Sequence, residues 1–134
     1  MNRLRQSRWW WWGPVILVMA AIFALSSTAR IPDLPGGTDK QVHGFTYGVL
    51  ALLAARALTR GHLPALSAGV AAQAWLIATV YGATDELHQA FVPGRTADVL
   101  DLAADAAGAF AVLSALWACG IIARSMQSRS RHGR

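Results

Sequence analysis

Charge is what this chain has least of: 14% of its 134 residues are Asp, Glu, Lys or Arg, where a soluble domain carries nearer a quarter. Cysteine is almost missing. The single Cys119 sits in an apolar run, which excludes a disulfide framework and leaves the redox compartment unmarked. Acidic residues are scarce too, seven against twelve Lys and Arg, for a formal net charge of +5. A surplus of that sign could serve nucleic acid, but the basic residues form no groove-reading patch. They flank apolar segments, as topology signals do, and nucleic acid is excluded as a partner. The length allows one domain and no more.

What is abundant is apolar: 54% of the residues are hydrophobic, gathered in four runs. Trp9 to Ser27 contains no charge and is long enough for the ~30 Å hydrocarbon core at about 20 residues per helix. Trp9 to Trp12 suit the headgroup level, and Pro14 near the helix start falls among donors that are orphaned anyway. A signal peptide competes for this run, with Ser27-Thr28-Ala29 as its cleavage site. The run exceeds the usual apolar core of such peptides, so it is expected to stay as an anchor. Arg30 to Thr38 is a turn-rich connector holding Pro32, Pro35, Gly36 and Gly37.

The second span is expected from Val42 to Leu58, with Arg56 snorkelling near its far end, and Thr59 to Pro64 turns the chain back. The third runs from about Ala65 to Thr84 and continues as helix through Asp85–Gln89, until Phe91-Val92-Pro93-Gly94 breaks it. The fourth runs from Val99 to Ala123. Residues 1–8 form a basic N-terminus, and 124–134 a basic tail expected to be disordered. The fold class is all-α: a polytopic membrane protein with four transmembrane helices in an antiparallel bundle. Arg3, Arg5, Arg8, Arg56, Arg60, Arg124, Arg129, Arg131 and Arg134 fall on one face, and only Arg30, Lys40 and Arg95 on the other. The positive-inside rule then makes both termini cytoplasmic.

Five of the seven carboxylates lie between Tyr81 and Gly108, where two apolar runs meet. Ionisable groups there are costly without a partner or a purpose. Lys40, His43 and Tyr47 recur at i, i+3 and i+7 on span two. Tyr81, Asp85 and His88 or Gln89 form a stripe on span three. Asp98, Asp101 and Asp105 form a third on span four, with Asp105 about 10 Å deeper than Asp98. Ala104, Gly108, Ala111 and Ala115 permit close helix approach. Three helices are therefore expected to turn their polar sides toward one outward-opening, water-accessible cleft.

The ordered motifs Asp39-Lys40-x-x-His43-x-x-x-Tyr47, Asp85-Glu86-Leu87-His88-Gln89-x-Phe91-Val92-Pro93-Gly94-Arg95, and Asp101 with Asp105-x-x-Gly108 resemble the VanZ-like family of small bacterial membrane proteins. The Phe23–Ser27 end of span one does so too, and the resemblance covers about Ile22 to Gly108. At Asp105 that family often carries Asn. The resemblance implies a multi-pass protein of the bacterial cytoplasmic (inner) membrane, with 9–123 as its domain. It also implies a cell-envelope context related to glycopeptide (teicoplanin) resistance, with membrane lipids and a lipid-linked envelope precursor as partners.

The candidate binding residues are Lys40, His43, Tyr47, Asp85, Glu86, His88, Gln89, Arg95, Asp101 and Asp105. Glu86, Asp85, His43 and Asp101 are the candidates for proton transfer. Arg95 has two open readings: a bidentate pair with Asp85 or Asp101 that pins the loop, or a contact to an anionic group such as a phosphate. Tyr47 reads as a hydrogen-bonding helix contact. Asp85-x-x-His88 has a helical metal spacing but no matching second pair, so no metal and no cofactor is expected. Ser26 and Ser27 have no base nearby in sequence, which leaves covalent catalysis unsupported. The leading reading is a cleft that engages a phosphate-bearing envelope component. An enzyme acting on a phosphate or acyl group, an ion pathway along span four and a purely structural role stay open.

Overall fold

The structure, a computed structural model, describes residues 7–28, 38–63 and 66–132. The connector with Pro32, Pro35, Gly36 and Gly37, most of the basic N-terminus, Pro64 and Ala65 lie outside those residues. Four helices follow in order: α1 (Arg8–Ser26), α2 (Thr38–Leu58), α3 (Ala68–Gln89) and α4 (Val99–His132). No strand occurs among the described residues.

Local chemistry sets the helix ends. Ser7 accepts the amide of Trp9 and Ser67 that of Val70, each satisfying one orphan donor. Asp98 does the same for Leu100 at 2.8 Å and starts α4. At the far end of α1 the hydroxyls of Ser27 and Thr28 donate to the Phe23 and Leu25 carbonyls, which would otherwise lack partners. Pro14 sits within α1, because the helix already begins at Arg8. It therefore costs a backbone bond rather than replacing an orphan donor.

Past Ala123, α4 does not stop: it is helical to His132, where a disordered tail was expected. No proline and no glycine stands between Gly120 and Gly133, so nothing in the backbone chemistry ends the helix. After α3, Val92-Pro93-Gly94-Arg95 closes a turn in which the Arg95 amide meets the Val92 carbonyl at 3.1 Å, with Gly94 at φ +80°. That sign at the third position marks a type II turn and favours glycine.

The helices alternate in direction, so α2 and α4 run parallel, and they form the most extensive pairing. Their approach rests on glycine. A Cβ on Gly108 would overlap the Gly44 backbone, and one on Gly48 would lie 3.3 Å from the Gly108 carbonyl oxygen. Gly44-x-x-x-Gly48 therefore supplies the small face on α2. On α4 the expected small stripe is half right: Ala104 and Gly108 meet α2, whereas Ala111 and Ala115 are exposed. The drift of a 3.6-residue helix turns the contact to Ala109, Val112 and Leu113 instead. Two polar staples tie the other helices: Trp75 Nε1 to the Ala106 carbonyl at 2.9 Å, and the Tyr81 hydroxyl to the Met19 carbonyl.

At the end of the bundle holding the α2–α3 turn, the Arg56 guanidinium lies 4.9 Å from the Trp11 ring centroid, a cation–π contact. The exterior is apolar: Leu17, Phe45, Phe91, Val99 and Phe110 are all exposed, while Asp85, Glu86, Asp101 and Asp105 are buried. Carboxylates inside and large hydrophobes outside invert the order of a water-soluble domain. By length and composition, α1 and the Val99–Met126 part of α4 can cross a membrane.

Candidate functional site

Both ends of every connection place polar residues at the same end of the bundle. α2 begins there with Asp39 and Lys40, α4 with Asp98 and Asp101, and α1 and α3 finish there with Ser26-Ser27 and Asp85–Gln89. The parallel pair α2 and α4 brings two stripes face to face. Lys40 Nζ bonds Asp98 Oδ2 at 2.6 Å and also Asp101 Oδ1. One turn deeper, His43 Nδ1 lies 3.0 Å from Asp105 Oδ1, and its Nε2 lies 3.8 Å from Asp101 Oδ2. The expected i, i+3, i+7 spacings on both helices thus meet rung by rung. The Lys40 ammonium and the Leu100 amide hold the Asp98 carboxyl below its usual range.

On α3 the residues that meet this ladder are one position later than expected. Gly82, Glu86 and Gln89 form the buried face. Glu86 Oε2 accepts the Asp98 amide at 2.8 Å, which ties the end of α3 to the start of α4. Tyr81, Asp85 and His88 turn instead to α1. Tyr81 reaches Met19, Asp85 Oδ1 takes the Ser26 hydroxyl at 2.6 Å, and His88 Nε2 lies 2.9 Å from Ser27 Oγ. Neighbouring residues on a helix point about 100° apart, so the shift from Tyr81 to Gly82 exchanges one partner helix for another. Gln89 joins the two faces, donating to Asp85 Oδ2 at 3.0 Å and to Glu86 Oε1 at 3.4 Å.

Of the expected residues, Lys40, His43, Glu86, Asp101 and Asp105 form one cluster, with Asp85 and Gln89 bonded to its edge. Tyr47 lies beneath, its ring stacked 6.5 Å from that of His43. It was read as a hydrogen-bonding contact, yet its buried hydroxyl has no partner among the described residues; nor does Asp105 Oδ2. His88 stands apart, against the Phe23 ring. The pinning pair proposed for Arg95 does not form: Asp85 and Asp101 have Ser26 and Lys40, and Arg95 Nε is buried without a partner. The Asp85-x-x-His88 spacing likewise brings no shared ligand set, since each residue faces a different serine. The group is packed rather than open, with Asp85, Glu86, Gln89, Asp101 and Asp105 all buried and Lys40 and Asp98 at its rim.

Three participants were not legible as such. Ser26 and Ser27 lie roughly sixty positions before their partners, and no local pattern announces that meeting. Gly82 is the third: a Cβ there would come 2.8 Å from Asp105 Oδ2 and 3.3 Å from the Tyr47 ring. The lone glycine inside an apolar run was the available signal, because such a residue marks close approach.

A model of the family described as VanZ/LLP1 matches residues 7–124. No curated protein and no solved structure matches the chain.

Proposed function

This chain belongs to the VanZ/LLP1 family, and we propose that it is a four-span protein of the bacterial cytoplasmic membrane that engages a phosphate-bearing, lipid-linked envelope component. Two helices apolar enough to cross a bilayer support the membrane assignment. α2 and α3 carry the cluster and are more polar for that reason, yet their outer faces expose Phe45, Leu76 and Val80. Arg8, Arg56, Arg60, Arg124 and Arg129 stand toward the end opposite the cluster, and the positive-inside rule then turns the cluster away from the cytoplasm.

The observation that carries the ligand reading is Arg95. At the cluster's end of the bundle, among the described residues, Lys40, His43, Asp85, Glu86, Asp98, Asp101 and Asp105 all have partners, whereas Arg95 makes no ion pair. A guanidinium held by a glycine turn beside the membrane surface suits a phosphate, which it grips with two parallel bonds. Glycopeptide drugs act on outward-exposed envelope precursors, so holding such a precursor would link this chain to the resistance that the VanZ resemblance implies. Native mass spectrometry of the protein in mild detergent tests the reading: a co-purified phospholipid-class ligand is expected, and Arg95→Ala should lose it. Wild-type protein without any such ligand refutes it. The orientation fails if Gly94→Cys reacts with an impermeant maleimide only from the cytoplasmic side.

A second reading, an enzyme acting on a phosphate or acyl group, draws on the Ser27–His88 pair at 2.9 Å. Against it, the Ser27 hydroxyl already donates to the Phe23 carbonyl at 2.6 Å. No carboxylate stands behind His88 among the described residues to orient it, as a triad requires. Envelope lipids unchanged between wild type and Ser27→Ala would remove this reading.

A further inference from the structure

We propose that His43, Glu86 and Asp101 form a divalent-cation site, of the kind that takes Mn2+ or Zn2+. One nitrogen and two carboxylate oxygens from three different helices lie within 4.8 Å of one another. Bonds of ~2.1 Å place two ligands of one ion at most about 4.2 Å apart, so shifts of under about 1 Å close the set. His43 Nε2 and Asp101 Oδ2, 3.8 Å apart, already bracket such an ion, since two bonds of ~2.1 Å span that gap at an angle of roughly 130°. The donor set matches the class: imidazole suits zinc and the later first-row metals, carboxylate suits manganese and magnesium.

Each candidate ligand is also oriented from behind. Asp105 Oδ1 takes His43 Nδ1 at 3.0 Å, which leaves Nε2 turned toward Asp101, the arrangement found behind metal-bound histidines. Lys40 occupies only Oδ1 of Asp101, so Oδ2 stays free. The Asp98 amide fixes Glu86 Oε2, and only a long 3.4 Å contact from Gln89 reaches Oε1. Hydrogen bonds alone would describe a static network. Two buried atoms say otherwise: the Tyr47 hydroxyl and Asp105 Oδ2 have no partner, although Tyr47 is 2% and Asp105 1% exposed. The Tyr47 hydroxyl lies in electrostatic range of Asp85, Asp105 and Glu86, so both atoms are directed at the ligand set. Buried polar atoms of this kind are otherwise costly, and a hydrated cation supplies what both lack.

Charge points the same way. Asp85, Glu86, Asp98, Asp101 and Asp105 surround this site with Lys40 as the fully charged counterpart, an excess of negative charge where the dielectric is low. A divalent cation offsets it. It would also let an acidic cluster accept a phosphate oxygen at the ion's open positions; that extension alone rests on the ligand reading given above.

The test uses the full-length protein, stripped with EDTA and titrated with Mn2+ by electron paramagnetic resonance. One Mn2+ per chain is expected, with pulsed spectra showing coupling to an imidazole nitrogen. His43→Gln should abolish that coupling. Glu86→Gln and Asp101→Asn should each weaken binding at least tenfold. Asp105→Asn, which removes only the orienting carboxylate, should weaken it about tenfold. No binding by wild type at millimolar Mn2+, binding without nitrogen coupling, or coupling that survives His43→Gln overturns the proposal. Should a variant fail to fold, the wild-type nitrogen coupling still decides. Loss of Mn2+ with retained lipid refutes only the cation site, and retained Mn2+ without lipid refutes only the ligand reading.

Discussion

The closest backbone approach in the bundle gives the sharpest test of how the site is held. In Gly108→Ala the new Cβ would stand 2.6 Å from Gly44 Cα, where ordinary contact begins at 3.4 Å, and its nearest neighbour is the Gly44 carbonyl oxygen itself. Neither atom is the end of a flexible side chain, so α2 and α4 must separate by at least about 0.8 Å. The same movement stretches the 3.0 Å His43–Asp105 contact to about 3.8 Å, beyond hydrogen-bond range. Overpacking costs about 1–3 kcal/mol, and each interhelical polar bond lost in a membrane bundle adds about 0.6–1.7 kcal/mol. Gly108→Ala should therefore destabilise by about 2–5 kcal/mol.

Gly13→Ala is the internal control, because nothing lies within 4 Å of its Cβ position. Within a helix that change should stabilise, by up to about 1 kcal/mol. Reversible unfolding in mixed micelles, followed by circular dichroism, measures both. The reasoning fails if Gly108→Ala unfolds within 0.5 kcal/mol of wild type, or if both variants shift in the same direction.

Two further expectations concern the rim and the α1 contact. Ser26→Ala removes the donor 2.6 Å from buried Asp85 Oδ1 and should cost about 1–3 kcal/mol, whereas Ser27→Ala, at an exposed hydroxyl, should cost clearly less; equal costs would show that Asp85 does not depend on α1. Asp98 titrates below its ordinary value of 3.8 because Lys40 stabilises the carboxylate. A depressed carboxylate contributes stability that is complete above that ordinary value and is lost as pH falls through the lower folded one. Wild type should keep its advantage over Asp98→Asn from neutral pH down to the Asp range and lose it below. An advantage independent of pH would separate Asp98 from Lys40.

Within the site, what could be read in advance was whatever depends on one helix at a time. Lys40 and His43, and Asp98, Asp101 and Asp105, were visible as stripes because three- and four-residue spacings share a helix face. The link between the two stripes needed only the parallel placement of spans two and four that an even alternation implies. Arg95 was placed on its turn by Pro93-Gly94. Its missing partner could not be foreseen, since the carboxylates nearest in sequence were taken by a lysine and a serine from other helices. Tyr47 was located correctly on its helix, but its lack of a partner is a property of the packed interior.

The amino-acid order alone determined the number of helices, the polar loading of one bundle end and the gathering of arginines at the other, since helix length, turn residues and charge are local quantities. Only the packed structure decided the rotation of α3. Its last turns are polar on two adjoining flanks, Tyr81-Asp85-His88 and Gly82-Glu86-Gln89, and periodicity is indifferent between them. The choice falls to space and partners: at Gly82 a missing Cβ leaves room for Asp105, and α1 offers Asp85 a serine hydroxyl. A fit between surfaces distant in the chain made that selection, and no window of sequence contains it.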